Sequence, residues 1–317
     1  MPVATERLAV GAYLERWVEG VRANVRPTTH VRYAALLRRH LMPRLGRIAL
    51  TKLQPTDLTT AYAAMIAGGL APLTVGQAHR VLGTALRDAE RSGLVARNVQ
   101  RLVRPPRAEH RDMDTLTAEQ ARTLIVAAAS DRLGALYALA LDTGAREGEL
   151  LALRWTDVDF EAGAIHIVRT LQRLPGRLLF ADPKTAASRR AIPLGARALD
   201  ALRRHRVAQA EERLRVGAAW TDSGLVFTTE VGTPIDAGNL LRRTHYPLLA
   251  RAGLPRVRFH DLRHTAATLL LTAGTHPSVV AERLGHSTPS LTLNVYSHVT
   301  PTMQKEAAAT LDAMLGA

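Results

Sequence analysis

No cysteine occurs in the 317 residues, which excludes disulfides, thiolate metal sites and a cysteine nucleophile. Lysine is nearly absent as well. Only Lys52, Lys184 and Lys305 are found, although lysine and arginine together number 42. No run of about 18 apolar residues exists, so no membrane span is expected. The opening MPVATERLAVGAYLERW has no apolar signal core, which points to a cytoplasmic protein. A G-x-G-x-x-G fingerprint, a Walker motif and internal repeats are all missing.

What the chain does have is positive charge, +14 net at neutral pH. A polyanion partner, nucleic acid first, follows from that balance, with a basic surface kept for solubility as the plainer explanation. A hydrophobic content of 47% is ordinary for a folded protein, and the length suits two domains with separate cores.

The first hundred residues read as four helices. Residues 8–22 place Leu8, Tyr13, Leu14, Trp17 and Val21 at helical spacing. Pro27-Thr28 opens PTTHVRYAALLRRHLM, Pro55-Thr56-Asp57 opens a third helix ending at Gly68-Gly69, and the fourth runs from Pro72 to Ser92. His79, Arg80, Arg87 and Arg91 are expected on the exposed side of the fourth. This bundle suits gripping DNA, and a protein-interaction bundle fits it nearly as well. RLVRPPRAEHRDMD, over 101–114, has the composition of an extended linker.

The second domain opens at Thr117 with Glu119-Gln120 behind it, a helix start. LGALYALALDTGAREGELLALRW reads as two helices broken at Thr143-Gly144, with Arg146 in the first turn of the second. A lone arginine at a positive helix end is mildly unfavourable, which suggests an anionic ligand, and Glu149 one turn on could hold Arg146 in place. Period-two strands follow at 165–168, 178–180 and 190–194, forming one small antiparallel sheet, with Lys184 in the loop between the last two. A long helix near 195–216, a short strand at 225–228 and a helix after Pro234 complete the approach to the last segment.

That segment, HDLRHTAATLLLTAGTHPSVVAERLGHSTPSLTLNVY over 260–296, gathers polar groups at helix ends. His260 and Arg263 are expected on one helical face. Gly274 ends that helix; Pro277 starts the next, whose apolar stripe is Val279, Val280 and Leu284. Gly285 then delivers His286 from a left-handed cap. Thr288-Pro289 opens a third helix carrying Tyr296. His260 and His264 have the spacing of a zinc peptidase, but Asp261 stands where that motif needs Glu and Arg263 would repel a metal. No carboxylate cluster supports a two-metal nuclease, and no cofactor is implied. What remains is a cationic pocket beside a tyrosine, able to form a phosphotyrosyl bond without metal or ATP. Taken singly, each of these residues reads as packing or surface; it is their joint order and the net charge that favour a site.

AREGEL around Arg146, HDLRHTAAT around Arg263, LGHS around His286 and Tyr296 ten residues on resemble the boxes of the tyrosine recombinase, or phage integrase, family. The resemblance covers essentially the whole chain. It implies a mainly α fold: a four-helix, SAM-like core-binding DNA-binding domain over 1–103, a linker over 104–114, and over 115–317 a mostly helical catalytic domain with a small antiparallel β-sheet and a C-terminal tail helix. It implies an enzyme that cuts and rejoins DNA through a 3′-phosphotyrosyl intermediate to integrate or excise a mobile element. Arg146 and Arg263 would clamp the scissile phosphate, Tyr296 would attack it and Lys184 would protonate the leaving 5′ oxygen. His260 and His286 would bind the phosphate and move protons, with Glu149 in support. Implied partners are double-stranded DNA bearing specific recombination sites, a homotetramer on two such sites, and accessory DNA-bending or directionality factors; the expected location is the nucleoid. Many members carry a further arm-site DNA-binding domain, whereas this sequence begins directly on the core-binding helices. Two alternatives share these features: a DNA-binding protein of the same fold without strand exchange, and a type IB topoisomerase-like enzyme.

Overall fold

The computed structural model describes residues 8–107, 114–182 and 189–285, together with the helical tail positions 308, 309, 312, 313 and 315. The chain divides into two units, Met1–Arg111 and Asp112–Ala317.

In the first unit, α1 (Val10–Gly20), α2 (Pro27–Leu36), α3 (Met42–Leu45), α4 (Pro55–Ala67) and α5 (Pro72–Arg91) follow one another, with a π-helical turn at Leu37–Leu41 joining α2 to α3. Prolines open α2, α4 and α5, where the missing N–H has no intrahelical partner to lose. Leu14, Leu37, Leu58, Leu82 and Leu86 meet in one core. The exposed side of α5 carries Arg80, Arg87 and Arg91, but not His79, contrary to the sequence expectation. His79 is buried against Tyr62, whose hydroxyl lies 3.0 Å from Nδ1, and its Nε2 bonds the Gln100 side chain. A neutral imidazole with a partner on each nitrogen can be buried; helical periodicity cannot reveal those partners.

The second unit begins with α6 (Ala118–Ala128), capped as expected: the Thr117 hydroxyl accepts from the Gln120 amide and the Gln120 side chain accepts from the Thr117 amide. Next come α7 (Gly134–Thr143) and α8 (Glu147–Leu150). The strands are β1 (Val158–Asp159), β2 (Ala164–Ile167), β3 (Thr170–Leu174), β4 (Arg177–Ala181) and β5 (Arg190–Pro193). They form two antiparallel sheets, not one: β1-β2-β5, with Ile165 opposite Ile192, and a separate β3–β4 hairpin turning at Gly176. Val168 and Arg169 interrupt the extended run, so β3 pairs with β4 rather than continuing β2.

After the sheets run α9 (Ala196–Val216), α10 (Ala237–Leu240), a π turn at Leu241–His245, α11 (Tyr246–Arg251), α12 (Asp261–Thr272) and α13 (Pro277–Leu284). The strand expected at 225–228 is reduced to isolated bridges, Arg154 with Leu225 and Thr228 with Pro234. Helix α12 closes on the start of its own unit, since the Thr265 hydroxyl accepts from the Leu116 amide at 3.0 Å. Ala267, Leu271, Val280 and Leu284 pack α13 onto α12. Val279, expected in that stripe, is instead exposed, because Ala281 takes the inward position. Among the described residues no helix is long and apolar enough to cross a membrane.

Candidate active site

Two left-handed glycines frame the site. Gly144 ends α7 at φ +60° and Gly285 ends α13 at φ +69°. Both values suit glycine because a Cβ is disfavoured in that region. A side chain at Gly144 would also run into Leu284, so the end of α7 and the end of α13 touch where the backbone turns.

Arg146 does not lie in the first turn of a helix, as the sequence suggested. It is the N-cap of α8, in extended conformation at φ −68° and ψ 147°, and α8 is a single turn. From there Arg146 Nη1 donates to Glu149 Oε1 at 2.7 Å, and its backbone N–H donates to Glu149 Oε2 at 3.0 Å. Glu149 thus holds Arg146 at two points. Burial pushes the Glu149 carboxyl up, but Arg190 and then Arg146 outweigh it, and the group stays below the usual carboxylate range. It is therefore an anion near neutral pH.

Arg263, on the first turn of α12, is 3% exposed. Its Nη1 donates to the carbonyls of Gly144 and Leu284, both at 2.8 Å. The neighbouring Asp261 takes Arg258, at 2.7 Å from Nη2. His260 is the residue before α12, not a member of its face. Although His260 is solvent-exposed, partial desolvation, then Arg263, holds its imidazole below the ordinary histidine range. Behind it, edge to face at 5.2 Å between ring centres, stands His264, which burial and then His260 push down to about 4. Both shifts favour the neutral ring near neutral pH.

The arrangement converges on the last carbonyls of α13. Arg190 Nε donates to Arg283 O at 2.8 Å, Arg263 to Leu284 O, and Arg146 Nη2 to Gly285 O at 3.2 Å. Three guanidinium groups from distant parts of the sequence meet three consecutive carbonyls at the negative end of a helix dipole. The Arg283 side chain anchors the same turn from outside, donating to Asp142 O at 2.9 Å.

Of the residues singled out in the sequence, Arg146, Glu149, Arg263 and His260 belong to this cluster. Lys184, His286 and Tyr296 lie outside the described residues, as do the helix expected from Thr288 and most of the tail. Arg190 was not anticipated as part of the site, although its strand was expected. Its signal was strand alternation, since Arg190 shares the inward face of β5 with Ile192, which is 1% exposed. An arginine on a core-facing strand position requires a buried partner.

Residues 114–303 match the phage integrase family, and residues 9–66 match the N-terminal SAM-like domain of phage integrases. A protein of Caldanaerobacter subterraneus subsp. tengcongensis named tyrosine recombinase XerC-like is 32% identical, over 96% of this chain and 83% of its own length. The fold is shared with the integrase of transposon Tn1549, solved with a circular intermediate DNA, at a TM-score of 0.78 and 22% identity, over 94% of this chain and 99% of the other. It is shared also with lambda integrase, solved as a tetramer bound to a Holliday junction, at a TM-score of 0.69 and 19% identity, over 92% of this chain and 78% of the other. The family match spans the cluster of Arg146, Glu149 and Arg263, and the XerC-like relative aligns along nearly the whole sequence: the chain belongs to the phage integrase family and is a site-specific tyrosine recombinase, a DNA strand transferase.

Proposed function

We propose that Arg146 and Arg263 clamp the scissile phosphate of a recombination site and that Tyr296 is the nucleophile. The observation that carries this reading is the convergence of the two arginines: Arg263 reaches back 119 residues to the carbonyl of Gly144, and the two guanidiniums end on the adjacent carbonyls of Leu284 and Gly285, where α13 stops. Two fixed cations beside each other are a preorganised partner for the charge that develops on five-coordinate phosphorus.

In the proposed reaction the Tyr296 hydroxyl attacks phosphorus as the bond to the 5′ oxygen breaks, giving a 3′-phosphotyrosine and a 5′-hydroxyl. The tyrosine proton passes to His260, whose neutral ring suits a proton acceptor. Lys184 protonates the leaving 5′ oxygen; an arginine could not, because guanidinium does not deprotonate near neutral pH. His286 hydrogen-bonds the phosphate. Attack by a 5′-hydroxyl from the partner strand reverses the step and joins new ends, so the bond energy is conserved and no ATP is consumed.

In this reading the first unit grips duplex DNA beside the cleaved bond and the second carries the chemistry, with residues near 104–114 linking them. Four protomers act on two sites, as in the lambda integrase tetramer on its junction, and the reaction integrates or excises a mobile element. Accessory DNA-bending proteins would set its direction. The protein works in the cytoplasm, on the nucleoid.

The test is to trap the protein on nicked DNA carrying candidate attachment sites and map the joined base. Wild type should give an SDS-resistant adduct on a 3′ phosphate. Tyr296→Phe should bind the same DNA and give none; an adduct from the Phe variant would remove Tyr296 from the role.

A further inference from the structure

Arg190 belongs to the described cluster but is far less open to solvent than Arg146. The Arg146 side chain is 38% exposed and that of Arg190 is 6% exposed. Held at the start of β5, Arg190 reaches two acceptors among the described residues: Nη2 donates to Glu149 Oε2 at 3.0 Å and Nε to the carbonyl of Arg283 at 2.8 Å.

These acceptors are not independent. Glu149 is the carboxylate that fixes both the side chain and the backbone of Arg146, and the chain from Arg283 leads to Gly285, whose carbonyl takes the other end of the Arg146 guanidinium. Both supports of Arg146 are therefore tied to each other through Arg190. The packing is close enough to constrain sequence: a Cβ on Gly285 would lie 2.8 Å from Arg190 Nη1. For stability alone, a buried ion pair is commonly no better than apolar residues of the same volume. An arginine that joins the two anchors of one exposed arginine has a geometric use that an apolar side chain lacks.

We propose that Arg190 is a positioning residue for the phosphate clamp, setting the Arg146 guanidinium through Glu149 and through the C-terminal carbonyls of α13. The inference rests on the reading of Arg146 as part of that clamp. Without Arg190, Glu149 and the end of α13 can shift separately, and a misplacement of about 1 Å costs on the order of a hundredfold in rate.

The test uses the full chain on a nicked duplex bearing the site mapped with the wild-type adduct. Single-turnover adduct formation is measured at saturating DNA for wild type, Arg190→Met, Arg190→Lys, Arg146→Ala and the double variant Arg190→Met with Arg146→Ala. Arg190→Met should cleave about tenfold to a hundredfold more slowly, with its DNA dissociation constant near that of wild type. Its deficit should shrink when the scissile phosphate is replaced by a methylphosphonate, which lacks the anionic oxygen the clamp neutralises. The double variant should be no slower than Arg146→Ala.

Wild-type cleavage by Arg190→Met beside an impaired Arg146→Ala overturns the inference alone. So does a deficit that methylphosphonate leaves untouched, or deficits that multiply in the double variant, since a purely structural role would give those results. Wild-type cleavage by Arg146→Ala instead removes the clamp reading and this inference with it. If Arg190→Met does not fold, Arg190→Lys carries the same measurements: an ammonium keeps the charge but cannot span both acceptors, so it too should be slowed and rescued.

Discussion

Both units bury neutral polar groups, but among the described residues only the second buries charged ones. Among the described residues, the first has His79 and Asn98 inside, and it buries no carboxylate or guanidinium. Both are neutral and hydrogen-bonded: His79 by Tyr62 and Gln100, Asn98 by the Gly83 carbonyl and the Gln100 amide. The second buries Glu149, Asp157, Asp261 and Arg263. Neutral hydrogen-bonded groups cost little to bury and help select one packing, whereas charges carry a desolvation cost of several kcal/mol each even when paired. A fold that only had to be stable could do without them. The unit that keeps its charges inside is the one proposed for chemistry, and the unit that keeps its arginines outside is the one proposed for grip.

The largest expected effect that would sharpen this contrast is at Lys184. Lys184→Ala and Lys184→Arg should both cleave normal DNA roughly 10²- to 10⁴-fold more slowly, the usual range for losing a general acid. Both should recover substantially when the scissile 5′ oxygen is replaced by sulfur, because a thiolate leaves without a proton. Adduct yields on the paired substrates decide it: no rescue in a variant that still binds DNA means that Lys184 is not the acid.

A medium effect concerns acid stability of the second unit. In the unfolded chain the His264 ring takes up a proton as pH falls through about 6.5, but in the folded protein only near 4. The unfolded state binds the proton first, so stability present above pH 6.5 is lost progressively down to pH 4. At about 1.4 kcal/mol per unit, the loss is roughly 2–3 kcal/mol. Urea unfolding at stepped pH should show wild type losing that much more than His264→Gln between pH 7 and 4. Identical pH dependence in the two proteins would contradict a ring held neutral beside His260.

The smallest effect lies on the first unit. Arg87→Ala, on the exposed side of α5, should weaken DNA binding only a few-fold at moderate salt, with the log–log salt slope shallower by about 0.9 for one lost phosphate contact. An unchanged slope would take Arg87 out of the grip and weaken the division between the units.

Helix punctuation was readable without coordinates because it is local. Pro27, Pro55, Pro72 and Pro277 start helices where they were expected to, and Gly69, Gly93, Gly144, Gly274 and Gly285 take positive φ near the helix ends. Such effects act within one turn of backbone. The order of the boxes around Arg146, Arg263, His286 and Tyr296 likewise identified the family, since that information is carried by residue type and sequence alone. Long-range pairing was not readable. His79 looked exposed because Tyr62 and Gln100 are its partners only in space, and one sheet was expected where β2 and β3 take different neighbours.

Arg190 shows where the boundary falls. Its type and its strand are plain in the sequence, and alternation even assigns its inward face. Whether an inward arginine is tolerable depends on a carboxylate 41 residues earlier and a carbonyl 93 residues later arriving within 3.0 Å. Backbone preferences set each element by interactions over three or four residues; the placement of charge inside the protein is set by desolvation and pairing, which exist only once those elements have packed.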